Sequence, residues 1–177
     1  MSATNPTPPD GSPALLSSWL AVCLAGIAWS VTVPWSGHGL AIASVGWLLL
    51  GLALLVGDRL VLTIGGAGLV LGTFVAAGDG AGVLATLVGT TASVLAWDVG
   101  QHAISIGRQL GRAATTVRAE LTHVLASVTT GTVIVVLAGA ASVLVTGTQP
   151  LVAVTLLLLG GGLVAVVFGP RELLSIE

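Results

Sequence analysis

Long uncharged apolar runs, separated by short polar links, set the pattern of the chain. Six such runs occur, at Ala14–Val33, Leu40–Gly57, Leu60–Ala77, Gly82–Trp97, Val124–Val145 and Leu151–Phe168. A bilayer-crossing helix needs about 20 mainly apolar residues, and all six approach that length. The fourth is the shortest and borrows a turn from its polar neighbour. The runs are continuous and do not alternate, which favours helices over barrel strands. Their separators are turn-like: Pro34 to His38, Gly57-Asp58-Arg59, Gly78-Asp79-Gly80 and Gly147 to Pro150. Links this short make successive helices antiparallel hairpins. The pattern predicts an all-α fold, a polytopic membrane bundle of six transmembrane helices.

One interval is patterned differently. Val99, Ala103, Ile106, Leu110, Ala113, Val117, Leu121 and Val124 recur at three- and four-residue steps. On a helical wheel they cover roughly a quarter of the circumference, an amphipathic stripe. Gln101, Arg108, Arg112, Thr115, Thr116 and His123 lie opposite. Ile104 breaks the pattern, and Gly100, Gly107 and Gly111 weaken the helix. The expected layout is a cytoplasmic tail over 1–13, helices one to four over 14–97, an amphipathic cytoplasmic helix over 98–123, helices five and six over 124–168, and a tail over 169–177. Three readings of the middle helix stand side by side: lying in the interface, extending span four or five, or docking a partner. In the first and last, Ile106, Arg108, Leu110, Arg112, Val117 and Leu121 would meet lipid or protein.

Composition narrows the class. Of 177 residues 55% are hydrophobic and 7% charged, with a mean hydropathy of +1.08. A soluble surface carries roughly 25% charged residues, and disorder needs low hydrophobicity. Five Arg, no Lys and a net charge of −2 exclude a nucleic-acid surface. The Arg residues are one-sided. Arg59, Arg108, Arg112, Arg118 and Arg171 all fall in links on the N-terminal side of the six-span layout, whereas the links at His38, Asp79 and Gln149 have none. The positive-inside rule then places both termini and the central interval in the cytoplasm, in a cell-membrane protein. Trp19, Trp29, Trp35 and Trp97 stand near span ends, as interfacial indoles do. Trp47 lies mid-span and wants a partner for its N–H, in the bundle or from a ligand.

Candidate chemistry is sparse. None of the six runs contains an ionisable residue other than Cys23, so a proton relay or an intramembrane hydrolase finds no residues there. Asp58, Asp79 and Asp98 fall at ends and links. His102 and His123 stand too far apart in sequence to make a metal site and are expected on solvated faces. No catalytic, metal or cofactor residue is assigned, and no cofactor is expected. Cys23 is expected as a small packed hydrophobe; Leu20-Ala21-Val22-Cys23 is a poor lipobox because no Lys or Arg precedes it. Gly65-Gly66-Ala67-Gly68 and Gly160-Gly161-Gly162 follow no strand and are no phosphate loops. Gly68 with Gly72, and Gly78 with Gly82, are spaced for close helix packing; a pore-lining or unwound segment is the alternative. Residues 62–74 resemble residues 156–168, which would make spans one to three and four to six an inverted repeat of the transporter kind.

Trp97-Asp98-Val99-Gly100, Gln109-Leu110-Gly111-Arg112 and Arg118-Ala119-Glu120-Leu121-Thr122-His123, with the six-span layout and the Lys-free, acidic composition, resemble an uncharacterised membrane protein family of halophilic archaea. The resemblance implies no activity. It implies a membrane assembly, because members look to be encoded near MoxR-type ATPases and their adaptors. The expected function is a non-enzymatic scaffold or accessory subunit. Its expected partners are the bilayer and a membrane protein or a second copy, with no nucleic acid. A small permease or channel built on the inverted repeat is the alternative.

Overall fold

The computed structural model describes residues 12–110 and 117–144, with the side chains of 110, 117–119, 141 and 144 outside the description. Five helices occupy these residues: α1 (Leu15–Thr32), α2 (Gly37–Val56), α3 (Arg59–Gly78), α4 (Val83–Leu110) and α5 (Val117–Leu144). All five are long and apolar enough to cross a membrane. The chain divides into two compact units, Met1–Ser142 and Val143–Glu177; from residue 145 onward the second lies outside the described residues, and the expected sixth span over 151–168 with it.

The links terminate the helices as their residues dictate. Ser36 caps α2 by accepting the Gly39 N–H, and Asp58 caps α3 by accepting those of Leu60 and Val61. Between them Gly57 ends α2 at φ 75°, a left-handed conformation open to glycine at little cost. The Ser36 hydroxyl also donates to the Asp79 carboxylate, tying the α1–α2 link to the α3–α4 link. Ala14, at the N-cap of α1, offers no side-chain cap.

Two close-packed seams form the core. Gly39, Ala43, Gly46 and Leu50 of α2 face Gly65, Leu69, Gly72 and Ala76 of α3, two stripes of matching four-three-four spacing. A Cβ on Gly46 would stand 2.7 Å from the Gly65 carbonyl, and one on Gly72 would stand 2.7 Å from that of Gly39. Backbones this near gain dispersion where lipid removes any hydrophobic drive between helices. The second seam sets Ser17, Ala21, Ala25 and Ala28 of α1 against Ala92, Ala96, Val99 and Ala103 of α4, all buried. It begins where the Ala14 N–H donates to the Ala103 carbonyl at 3.1 Å. Apolar side chains such as Leu48, Leu55, Leu60 and Leu71 point outward, as a lipid-facing surface requires. Cys23 is on that outward face, exposed and not packed as its sequence position suggested.

The separate helix expected over 98–123 is not what the described residues form. Residues 98–110 continue α4 without a break, and 117–123 open α5, so extension of the spans is the reading the structure adopts. The reason is register. Val99 and Ala103 carry the Ala92–Ala96 ridge another two turns along α1, and both are fully buried. Ile104, which broke the amphipathic pattern, is also fully buried. The glycines there are crossing points: a Cβ on Gly100 would meet Leu62 at 3.0 Å, and one on Gly107 would collide with the Ser12 carbonyl.

Candidate functional site

The end of the bundle where α1 begins and α4 emerges gathers polar side chains from four helices. On α4, Asp98 and His102 are one turn apart; on α5, Glu120, His123 and Ser127 follow at steps of three and four. Such spacings place each set on one helix face. The His102 and His123 rings stack with centroids 4.0 Å apart and planes inclined 17°. His123 Nε2 lies 3.0 Å from Asp98 Oδ2, close enough for an ion pair but outside hydrogen-bond alignment. The Ser127 hydroxyl donates to the same oxygen at 2.7 Å. His102 Nε2 is shielded from solvent and has no hydrogen-bond partner.

Glu120 does different work. Its side chain is buried, and Oε2 accepts the Ser17 N–H at 2.9 Å and the Ser17 hydroxyl at 2.7 Å. Ser17 is the third residue of α1, so its N–H is one of the helix's orphan donors. A carboxylate from α5 thus provides the cap that Ala14 lacks, at the positive end of the α1 dipole. Beside this layer the Gln101 amide donates to the Thr63 hydroxyl at 3.1 Å and the Arg59 carbonyl at 3.4 Å. The Trp97 indole N–H donates to Thr63 as well.

The expected docking residues fare unevenly. Arg108 donates to the Gly57 carbonyl at 2.8 Å, where the α2 dipole presents its negative end, so it is used within the bundle. Ile106 is half-buried, and Leu121 is exposed. Arg112 and the side chains of Leu110 and Val117 lie outside the described residues. Val99, Ala103 and Val124, from the stripe expected to meet a partner, are covered by the bundle itself. His102 and His123 are half-buried against each other and not on fully solvated faces. Asp98 sits inside α4 and not at a span end, and Glu120 lies within α5. The i, i+4 spacing on one segment and the i, i+3, i+7 spacing on the other was the signal available; what pairs the two faces is the antiparallel register of α4 and α5.

This arrangement limits the chemistry. The Ser127 hydroxyl donates its hydrogen bond to Asp98 and not to a histidine, so these residues are not arranged as a Ser–His–Asp relay. Among the described residues no group of three or more His, Cys, Asp or Glu is placed to hold a metal ion. Trp47 finds a bundle partner: its N–H donates to the Val22 carbonyl at 3.3 Å. Its ring stacks on Trp29, whose own N–H donates to Ser44. Trp29 thus packs within the bundle, one turn from the end of α1.

A family model described as a family of unknown function (DUF7519) matches residues 11–167. The chain belongs to this family. The DUF7519 match takes in all five helices and every residue of the polar layer. It begins just before α1, whose lead-in residue Ser12 crosses α4 at Gly107. No curated protein and no solved structure matches the chain.

Proposed function

We propose that this DUF7519 member is a non-enzymatic multi-pass protein of the cell membrane, acting as a scaffold or accessory subunit of a membrane assembly. The supporting observation is the closure of its two seams. Gly39, Gly46, Gly65 and Gly72 bring the α2 and α3 backbones into contact, and alanines do nearly the same for α1 and α4. The α3 helix runs unbroken through Gly65-Gly66-Ala67-Gly68, where a substrate-binding helix of the inverted-repeat kind would unwind. A groove lined by Leu15, Trp19, Val22, Gly51 and Leu55 opens on the outer face of α1 and α2. A rigid bundle with an apolar exterior suits a protein that holds other membrane components in place. Both termini are proposed to face the cytoplasm. Purified from native membranes in mild detergent, the chain should run in an assembly of fixed stoichiometry. The MoxR-type ATPase system and a second copy of the chain are the partners to look for. A monodisperse monomer that carries solute into proteoliposomes would overturn the scaffold reading.

The permease reading keeps one observation of its own, the ionisable layer of Asp98, His102, Glu120 and His123 within helices. That layer is level with the first turns of α1 through Ser17 and Glu120, while Asp98 stands near the middle of α4; transporter sites lie near the bilayer midplane. Solute uptake driven by an imposed pH gradient in reconstituted vesicles, abolished by Asp98→Asn, would favour it.

A further inference from the structure

We propose that His102, His123 and Asp98 form a proton-binding site that holds one proton and clasps α5 to α4 most tightly in that state. The geometry carries the argument. With one proton on the pair, His123 and Asp98 are oppositely charged at 3.0 Å, while neutral His102 stacks on the ring at 4.0 Å. Removing that proton leaves Asp98 facing a neutral ring, with Ser127 its remaining α5 contact. Adding a second sets two imidazolium rings face to face at 4.0 Å. Two unit charges 4 Å apart disfavour their state by a factor of about five in water-like screening, and by on the order of a thousand at the screening typical of protein sites. Both changes loosen the same helix pair, so docking of α5 is greatest at intermediate pH.

The groups facing the pair from each packed element are consistent with a single proton. On α4 these are Asp98 and, two turns further out, Arg108, which is held by the Gly57 carbonyl. On α5 they are Glu120 and Ser127, and Glu120 is committed to the first turn of α1 through Ser17. Among the described residues α1 contributes no charged side chain here, and α3 contributes the Arg59 carbonyl through Gln101. Asp98 Oδ2 lies 3.0 Å from His123 Nε2. Protons reach it from water, since the Asp98 side chain is 40% exposed and that of His123 32%.

The test uses the full chain in lipid nanodiscs, in a Cys23→Ser background. Spin labels go on the outward residues Val94 of α4 and Val133 of α5, and their distance distribution is read from pH 5 to pH 9. The ratio of docked to undocked populations should peak between those limits and fall about fivefold or more on each side. His102→Phe keeps the stack without the second charge and should remove the acid limb alone. Asp98→Asn removes the pairing carboxylate and should remove the alkaline limb. A flat wild-type profile overturns the proposal, and so does an acid limb that survives in His102→Phe. If either variant fails to fold, ¹⁵N spectra of the wild-type histidines decide. Coupled uptake of the two protons in separate steps supports the clasp, and two independent single-site titrations overturn it.

Discussion

At the scale of single residues, helix ends account for much of the chemistry in this bundle. Asp58 caps its own helix, but α1 starts at Ala14 and is capped from 103 positions away by Glu120. Glu120→Ala should destabilise the protein by about 1–3 kcal/mol, because it strands the N–H and hydroxyl of a fully buried serine. Glu120→Gln retains an acceptor oxygen and should lose less. Unfolding by denaturing detergent titrated into mild micelles measures both. Gly57 carries the opposite lesson: at φ 75° an alanine would cost about 1–2 kcal/mol, although nothing about its side chain is wrong. Gly57 and Asp58 could be read in the sequence as a stop and a start, since caps are local. Glu120 could not be read as a cap, since no local pattern names a partner on another helix.

At the scale of elements, the glycines divide into those that helices meet across and those that face open space. Gly46→Val would drive its Cβ into the Gly65 carbonyl and the Leu69 amide at 2.7 Å, both backbone atoms that cannot swing aside. The expected cost is about 1–3 kcal/mol or more, as for other overpacked positions. Gly51→Ala is the matched control on the same helix. A Cβ there meets nothing within 4 Å, so the change should be neutral or should stabilise by up to about 1 kcal/mol through helix propensity. Thermal unfolding in one detergent compares the pair directly. If both were equally disruptive, backbone contact would not be what holds α2 to α3. Glycine spacing in the sequence pointed to Gly68 and Gly72, and both do lie against α2; Gly78 and Gly82, spaced alike, have nothing within 4 Å. Spacing marks a stripe of small residues, but helix rotation decides whether the stripe faces a neighbour.

For the whole molecule, the described arginines lie at one end. Arg59 starts α3 and Arg108 reaches the end of α2, at the same end as the α1 N-terminus. His38 is exposed at the start of α2, the opposite end of the bundle. With the positive-inside rule this predicts the orientation. In a Cys23→Ser background, an impermeant thiol reagent on intact cells should label His38→Cys and spare Gln109→Cys until the membrane is opened. The reverse pattern would invert the protein. Gln109 also samples the part of α4 that continues past the Ala14–Ala103 contact. At about 1.5 Å per residue, the 28 residues of α4 span about 42 Å, longer than a hydrocarbon core of about 30 Å.

The sequence by itself determined that this chain is helical, where its helices turn, and that their exteriors are apolar. Those properties are local. In lipid each backbone N–H must find its carbonyl within the same helix, and Ser36, Gly57 and Asp58 act within a few residues of where they stand. Only the tertiary structure decided that residues 98–110 belong to α4 and bury Val99, Ala103 and Ile104. It alone brought Ser17, Asp98, His102, Glu120, His123 and Ser127 into one layer. That layer depends on how far each helix is rotated and slid against the next, which is set by the fit of small side chains along α1 and α4. No window of sequence contains both sides of that fit.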